Sequence, residues 1–494
     1  MVYCALMKKT YSTLPPPGMS RRDFILSSFA ASFVAGCRTA DLFGGPALTF
    51  GVVSDIHVTT AGTEARYEKA LRLFKGRGAD AVMVCGDIAD WGTVGSWELV
   101  RDAWQRVFGG TDTVPLLCTG NHDFEGWWYG DMTMDMHASG HSEDEAIVKA
   151  PGGVKATWEK IFGEPYEPVR LRRVKGYDFV SAEYAEDEKG KKRPDVAGFL
   201  VAYAKRLRDS GKPFFFFQHL PIKGTTGDSR GWADGGSVFP VVKMFPNAVA
   251  FTGHTHCPFV DERQIWQGEF TAIGTPSLSY PGLPGGHENG SAKRDGSAKN
   301  AMPMIPVRRD LEGTQGFFVN VYEDRIVVER IDIEADEWNR EAAPAWVIPL
   351  DGAKPFTLAE AETRVPVPAF PEGAEVRCEM RNTENRQGKW TIVMTCEFPS
   401  AVVPEGWRVF DYEIRAVPKD GSAPLVKRFY SPAYHKLPSC EPERQRFWFD
   451  VAQLPQDKDY TIEVRARNCF EKASEPITAG RVFHGKPGLG KAKR

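Results

Sequence analysis

Short apolar runs that end abruptly in an acid, an amide or an imidazole recur through the first half of the chain. LTFGVV leads into Ser54-Asp55-Ile56-His57, and ADAVMVC into Gly86-Asp87-Ile88-Ala89-Asp90. VPLLC leads into Thr119-Gly120-Asn121-His122-Asp123, PFFFF into Gln218-His219, and NAVAF into Thr252-Gly253-His254-Thr255-His256. The runs are rich in Val, Phe and Leu and lack polar alternation, which is how a strand covered on both faces reads. Helix-like segments separate several of them: EARYEKALRLFKGRG, WELVRDAWQRVFGG and VAGFLVAYAKRLRDSG. Strand, helix, strand in repetition predicts βαβ units, a largely parallel sheet and an α/β fold. Chemistry in such sheets collects beyond the carboxyl ends of the strands. All five runs deliver Asp, Asn or His there.

The pattern then changes. A long insertion between Asp123 and Phe214 begins FEGWWYGDMTMDMHASGHSEDE. Its Trp127, Trp128 and Tyr129 either floor a substrate pocket or pack the loop down. His137 and His141 have no partner at metal-ligand spacing and read as solvated. YPGLPGGHENGSAKRDGSAKN (280–300) reads as an exposed loop carrying His287. TQGFFVNVYEDRIVVERIDIE alternates about Glu323-Asp324, an antiparallel hairpin that closes a domain spanning 46–335. Residues 336–369 are proline-rich and irregular and read as a linker. From 370 to 484 the strands KWTIVMTCEF, WRVFDYEIRAV, RQRFWFDV and DYTIEVRARN predict a small all-β sandwich. Residues 485–494 form a basic tail.

At 494 residues the chain exceeds one ordinary core, in keeping with this division. Its 42% apolar and 26% charged content is that of a folded globular protein and excludes wholesale disorder. With 62 Lys and Arg against 65 Asp and Glu there is no basic excess for a phosphate backbone. No nucleic-acid partner is expected.

Residues 1–37 stand apart. Ser20-Arg21-Arg22-Asp23-Phe24-Ile25-Leu26 sets two arginines ahead of the apolar run FILSSFAASFVAG. That run is shorter than the about 20 apolar residues of a membrane-spanning helix. The segment resembles a twin-arginine export signal, with Met19 directly before it as an alternative start. Val34-Ala35-Gly36-Cys37 resembles the lipobox of bacterial lipoproteins, in which the cysteine is lipidated. The expectation is an exported bacterial lipoprotein, periplasmic or at the cell surface, tied to the membrane through Cys37. Of nine cysteines, setting aside Cys4 and Cys37 leaves seven, so at least one thiol stays free or bridges to another chain. Cys85 and Cys118 read as buried small hydrophobes. Among Cys378, Cys396, Cys440 and Cys469 the pairing is open.

A single D-x-H is weak evidence of chemistry. D-x-H, G-D-x-x-D, G-N-H-D, a lone His after an apolar strand and G-H-x-H, once each and in this order, are specific. Carboxylates and neutral imidazoles suit borderline divalent metals, and no cysteine is needed. Seven candidate ligands are too many for one four-coordinate ion and fit two ions that share a bridge. Glycines before Asp87, Asn121 and His254 permit tight turns directly after the strands. Two such ions would lower the pKa of a shared water from 15.7 toward about 7.

Over residues 47–335 the set resembles the calcineurin-like metallophosphoesterase superfamily at every motif. The resemblance implies an α/β sandwich of two sheets flanked by helices and two divalent or trivalent transition-metal ions (Mn, Fe or Zn). It also implies hydrolysis of a small phosphate ester by hydroxide held between the ions. By the same resemblance Asp55, His57, Asp87 and His256 hold the first metal, and Asp87 bridges to the second. Asn121, His219 and His254 complete the second site. His122 is left to stabilise the transition state or protonate the leaving oxygen, with Asp123 to orient it and Asp90 to support a metal-bound histidine. A D-x-H first motif with no tyrosine ligand in view points away from the purple acid phosphatase branch. Cyclic-nucleotide and glycerophosphodiester hydrolases of the superfamily carry a similar motif set, so the expectation leans to a phosphodiesterase, with a phosphomonoesterase close behind. LPQDKDYTIEVRARNCFEKASEP resembles the penultimate strand of fibronectin type III domains, which makes Tyr460 its corner tyrosine. A glycan or protein is the ligand such a domain would take. A cell-surface binding protein with a vestigial metal domain is the rival reading.

Overall fold

The five apolar runs lie buried on both faces because they are sandwiched between helices and a second sheet. The computed structural model describes residues 44–187, 190–227, 233–283, 286–289, 314–333, 343–384, 390–434 and 441–486. The twin-arginine segment, Cys37, Cys440 and the tail from 487 onward lie outside them. Strands β1 (Leu48–Val53), β2 (Ala81–Cys85) and β3 (Val114–Cys118) run parallel and adjacent. Helix α1 (Ala61–Gly76) connects the first two and α2 (Val94–Phe108) the next. α1 buries Tyr67, Ala70, Leu71 and Phe74, the i, i+3, i+4, i+7 stripe of a core-facing helix.

A second sheet is built from β4 (Val169–Val174), β5 (Tyr177–Ala182), β6 (Phe214–Phe217), β7 (Ala248–Thr252), β8 (Ile265–Gln267) and β9 (Thr271–Gly274), in the order β4-β5-β6-β7-β9-β8. β10 (Gln315–Val321), β11 (Arg325–Asp332) and β12 (Trp346–Pro349) complete the first sheet as β12-β11-β10-β1-β2-β3. The sheets share one apolar core. Phe50 of β1 packs edge-on against Phe179, Phe215 and Phe251 of the opposite sheet, at centroid distances of 5.3, 4.9 and 6.0 Å. Truncating such a ring costs roughly 3–5 kcal/mol. This is the expected α/β sandwich of two sheets flanked by helices.

Three sequence readings need correction. The segment taken as an insertion supplies β4 and β5, whose antiparallel pair forms one side of the second sheet. The irregular stretch 336–369 is not wholly a linker: β12 pairs with β11, Trp346 is fully buried, and Leu358–Arg364 is helical. Prolines at both ends of that stretch masked a strand of only four residues. The described part of the 280–300 loop is largely buried, His287 included.

The described residues from Ala47 onward form one compact unit. Its C-terminal part is an all-β sandwich of β13 (Arg377–Glu384), β14 (Trp390–Pro399), β15 (Asp411–Pro418), β16 (Leu425–Tyr430), β17 (Arg444–Asp450), β18 (Asp459–Arg467), β19 (Ile477–Thr478) and β20 (Phe483–His484). One sheet is β13-β14-β17; the other is β16-β15-β18-β19, with β20 also on β18. β18 shows the predicted alternation, burying Tyr460, Ile462, Val464 and Ala466. Cys378 and Cys396 stand opposite one another in register, with their sulfurs 3.6 Å apart. No helix among the described residues is long and apolar enough to cross a membrane.

Candidate metal centre

The ends of β1, β2 and β3 in one sheet meet those of β6 and β7 in the other, and the five motifs converge there. Asp55, His57, Asp87, His254 and His256 have φ of 50°, 46°, 49°, 72° and 54°. Non-glycine residues held in the left-handed region cost roughly 1–3 kcal/mol each, and such strain collects at functional sites. Five of the seven expected ligands carry it. Close approach also explains two glycines. A Cβ on Gly120 would stand 2.1 Å from Asp87 Oδ1, and one on Gly253 would stand 1.9 Å from Ser54 Oγ and 2.7 Å from Asp55 Oδ2.

Two groups form on either side of Asp87. Asp55, His57, Asp87 and His256 offer ligand atoms within 4.8 Å of one another, as do Asp87, His219 and His254. His256 Nε2 is 2.9 Å from Asp55 Oδ1, and His219 Nε2 is 3.2 Å from Asp87 Oδ2. Asn121 enters the second group with its Oδ1 2.9 Å from His219 Nε2, while its Nδ2 donates to Tyr129 Oη at 3.3 Å. Two imidazoles are held by a hydrogen bond at the nitrogen that faces away, and a third has a carboxylate beside that nitrogen. Nδ1 of His219 meets Cys85 O at 2.9 Å, Nδ1 of His256 meets Tyr280 O at 2.9 Å, and Nδ1 of His57 lies 2.8 Å from Asp90 Oδ1. Each Nε2 is thereby turned inward as a lone pair, the arrangement of a metal-ligating histidine.

Those inward nitrogens confront each other: His57 Nε2 and His256 Nε2 at 3.1 Å, His219 Nε2 and His254 Nδ1 at 3.2 Å. Two lone pairs at that separation repel unless a cation or proton lies between them. The electrostatics make the same demand. Burial alone would raise Asp55 and Asp87, yet the surrounding histidines hold both well below the usual carboxylate range. Burial opposes charge on His122 and His219, but Asp87, joined by Asp90 at the first and Asp55 at the second, pushes them up to about 10 and about 9. Burial and the neighbouring His219 push His254 down to about 3. A buried pocket that favours positive charge, lined with oxygen and imidazole donors, fits two transition-metal ions.

His122 sits beside the groups. Its backbone N–H donates to Asp87 Oδ1 at 2.9 Å, and its Nδ1 meets the backbone carbonyl of Asp90 at 2.9 Å and Asp90 Oδ1 at 3.2 Å. The expected role of Asp123 in orienting it is corrected here. Asp123 accepts from Ala89 N and Trp97 Nε1 on one oxygen and from Ile88 N and Gly120 N on the other. It joins two motif loops, and Asp90 positions His122.

Of the aromatics, Trp127 is packed, its Nε1 donating to Phe124 O with Lys149 over its ring. Tyr129 lies against His122 at 5.1 Å between centroids, and Trp128 is exposed. His137 and His141 pair with Glu143 and Glu145, away from the centre. Sequence reasoning missed Tyr280, which stacks on His57 at 5.3 Å and packs on His256 at 4.4 Å. It also missed Ser277, whose hydroxyl donates to Asp55 O at 3.0 Å. The only sequence signal for either is the polar run after β9.

Residues 48–258 match the sequence model of the Calcineurin-like phosphoesterase family. The matched segment takes in all seven clustered residues and His122. A probable cyclic nucleotide phosphodiesterase of Synechococcus sp. is 23% identical over 281 residues, covering 53% of this chain and 95% of that protein. Among solved structures, a dimetal phosphatase from Danio rerio is 13% identical, with a TM-score of 0.38 over 62% of this chain and 99% of the other. A purple acid phosphatase from yellow lupin seeds is 12% identical, with a TM-score of 0.34 over 64% of this chain and 57% of the other. Over residues 48–258 the chain is similar to calcineurin-like phosphoesterases, and the protein is a metal-dependent phosphoric ester hydrolase.

Proposed function

We propose that this protein is an exported phosphodiesterase working with two transition-metal ions. Asp55, His57, Asp87 and His256 would hold one ion, and Asp87, Asn121, His219 and His254 the other. The observation that carries this reading is the facing of imidazole nitrogens at 3.1 and 3.2 Å on the two sides of Asp87. When bound, such ions supply Lewis-acid polarisation of the phosphoryl group and a nucleophile at neutral pH. The chain supplies the proton. His122, anchored by Nδ1 on Asp90, turns Nε2 toward the centre, 4.0 Å from Asp87 Oδ2. In the metal-free protein Asp87 and Asp90 favour its protonated form, and Nε2 is placed to deliver a proton to the leaving alkoxide. Tyr129, itself bonded to Glu125 Oε2 at 2.7 Å, fixes the Asn121 amide so that its oxygen faces inward.

The diester preference is supported by the motif set and by similarity to a protein described as a probable cyclic nucleotide phosphodiesterase. Export and anchoring through Cys37 are supported by the arginine pair and the lipobox-like tetrad. The test is turnover by metal-loaded protein of a bis-aryl phosphodiester against the matching monoester, with and without chelator. Faster diester turnover abolished by chelation is expected. Faster monoester turnover makes the protein a phosphomonoesterase, and metal-loaded protein that spares every phosphate ester makes it a binding protein. For export, Cys37→Ser should move the protein from the membrane fraction to the soluble one.

A further inference from the structure

The segment after β9 touches the candidate metal centre at one end and the β-sandwich at the other. At the near end, Tyr280 O receives His256 Nδ1 and the Tyr280 ring covers His57 and His256. Gly282 N–H donates to His256 O at 2.7 Å, and a Cβ there would stand 2.2 Å from Thr255 O. At the far end, Leu283 is fully buried among Phe410, Tyr430 and Tyr434 of the sandwich. His287 Nε2 lies 2.6 Å from Asp411 Oδ2, and its ring stacks on Tyr430 at 3.7 Å. Asn289 and the Tyr430 backbone exchange two hydrogen bonds of 3.1 and 2.8 Å, and Glu288 N–H donates to Arg428 O at 2.7 Å. Glu288 and Asn289 thereby dock on the open edge of β16.

The attachment is reinforced from the α/β side. Tyr434 Oη donates to the buried Asp261 at 2.6 Å, and Asp261 also holds Arg263. A sandwich evolved only to grip a ligand of its own has no need to bury charge against its neighbour or to seize the loop that braces His256. His256, with φ of 54°, is a residue whose strained conformation must be imposed by its surroundings.

We infer that the β-sandwich is a clamp on the metal centre: by fixing Leu283, His287 and Asn289 it holds the Tyr280–Gly282 backbone against His256. His287 is on this account a positioning residue. The inference rests on the metal-site reading above, and its test separates the two.

In the full-length protein, His287→Ala removes the contact to Asp411 and the ring stack while leaving every residue of the centre in place. Partners that orient a ligating histidine typically contribute 10–100-fold to metal affinity. The expected result is roughly tenfold weaker Mn²⁺ binding in a chelator competition. Amide exchange at Gly282 in metal-free protein should also be about tenfold faster. His287→Gln, which keeps an N–H for Asp411, should restore part of both. If His287→Ala does not fold, Asn289→Ala, which removes only the pair of bonds to Tyr430, carries the same test. Unchanged affinity and unchanged Gly282 exchange in a folded variant overturn the clamp and leave the metal reading standing. Exchange accelerated uniformly across the sandwich and the α/β part overturns it as well, in favour of a merely structural contact. A wild-type protein that takes up none of Mn²⁺, Fe²⁺ and Zn²⁺ overturns the metal reading, while Gly282 exchange still decides whether the sandwich fixes the loop.

Discussion

The backbone N–H of His122 donates to Asp87 Oδ1 at 2.9 Å, so the proposed proton donor hangs from the carboxylate that both ions would share. Charge and position at this point are separable. Asp87→Asn keeps an oxygen to accept from His122 and removes the charge, whereas Asp87→Ala removes both. In metal-free Asp87→Asn protein, the His122 pKa should fall from about 10 toward the ordinary 6.5, as read by proton NMR. Reconstituted variant should lose stoichiometric metal by elemental analysis, with turnover falling by more than about 100-fold, beyond the loss of an outer partner. Full metal retention would remove Asp87 from the ligand set.

His122→Ala tests the acid alone. Both groups of candidate ligands remain, so metal content should be unchanged while turnover falls about 10²–10⁴-fold. The loss should be largest for alkyl leaving groups, which depart poorly without a proton, and smallest for nitrophenolate. Equal losses across leaving groups would assign His122 to charge stabilisation, and unchanged turnover would remove it from the reaction.

Metal-free protein should show a bell-shaped dependence of melting temperature on pH. His122 and His219 are raised on folding, so their stabilising contribution is complete below 6.5 and lost as pH rises through about 9 and 10. His254 runs the other way: its folded pKa of about 3 makes its contribution present above 6.5 and lost as pH falls toward 3. The lowered Asp55 and Asp87 add to that acid-side loss below the ordinary carboxylate value of 3.8. Calorimetry in excess chelator should therefore show an alkaline decline that His122→Ala flattens. Added Mn²⁺ should also remove the decline, because bound cations take over the charge that protons supply. An alkaline limb indifferent to both would contradict the electrostatics of the pocket.

Much of this centre was legible in the chain because burial and chemistry coincide. A strand covered on both faces leaves a run without polar alternation, and the residue after it is forced to the rim, so Asp55, Asp87, Asn121, His219 and His254 announced themselves. The left-handed backbone of Asp55 and His256 has no comparable signature, since Asp and His are ordinary turn residues. Tyr280 and His287 were hidden for another reason: what they do depends on His57 and Asp411, more than a hundred residues away in sequence. β12 was missed because four residues that end in Pro349, just after Pro344, carry too little period to read. Asp123 was read correctly as part of the site and wrongly as the partner of His122, since adjacency along the chain does not reveal that its oxygens point toward Ala89 and Gly120.

That last point yields a paired test. Asp123 accepts four N–H groups from Ile88, Ala89, Gly120 and Trp97 at 2.8–3.1 Å in a fully buried setting. Asp123→Asn turns one oxygen into an amide that faces donors, leaving two buried N–H groups unpaired. At about 1–3 kcal/mol each, the cost is roughly 2–6 kcal/mol. Chemical denaturation should read this loss, with the pH dependence of remaining turnover unchanged because Asp90 still holds His122. Asp90→Asn should do the reverse. Asp90 touches His57 Nδ1 at 2.8 Å and His122 Nδ1 at 3.2 Å, so its loss should weaken metal binding 10–100-fold and shift the pH profile, with a smaller effect on denaturation. If Asp123→Asn moved the pH profile and Asp90→Asn did not, the roles assigned here to the two carboxylates would have to be exchanged.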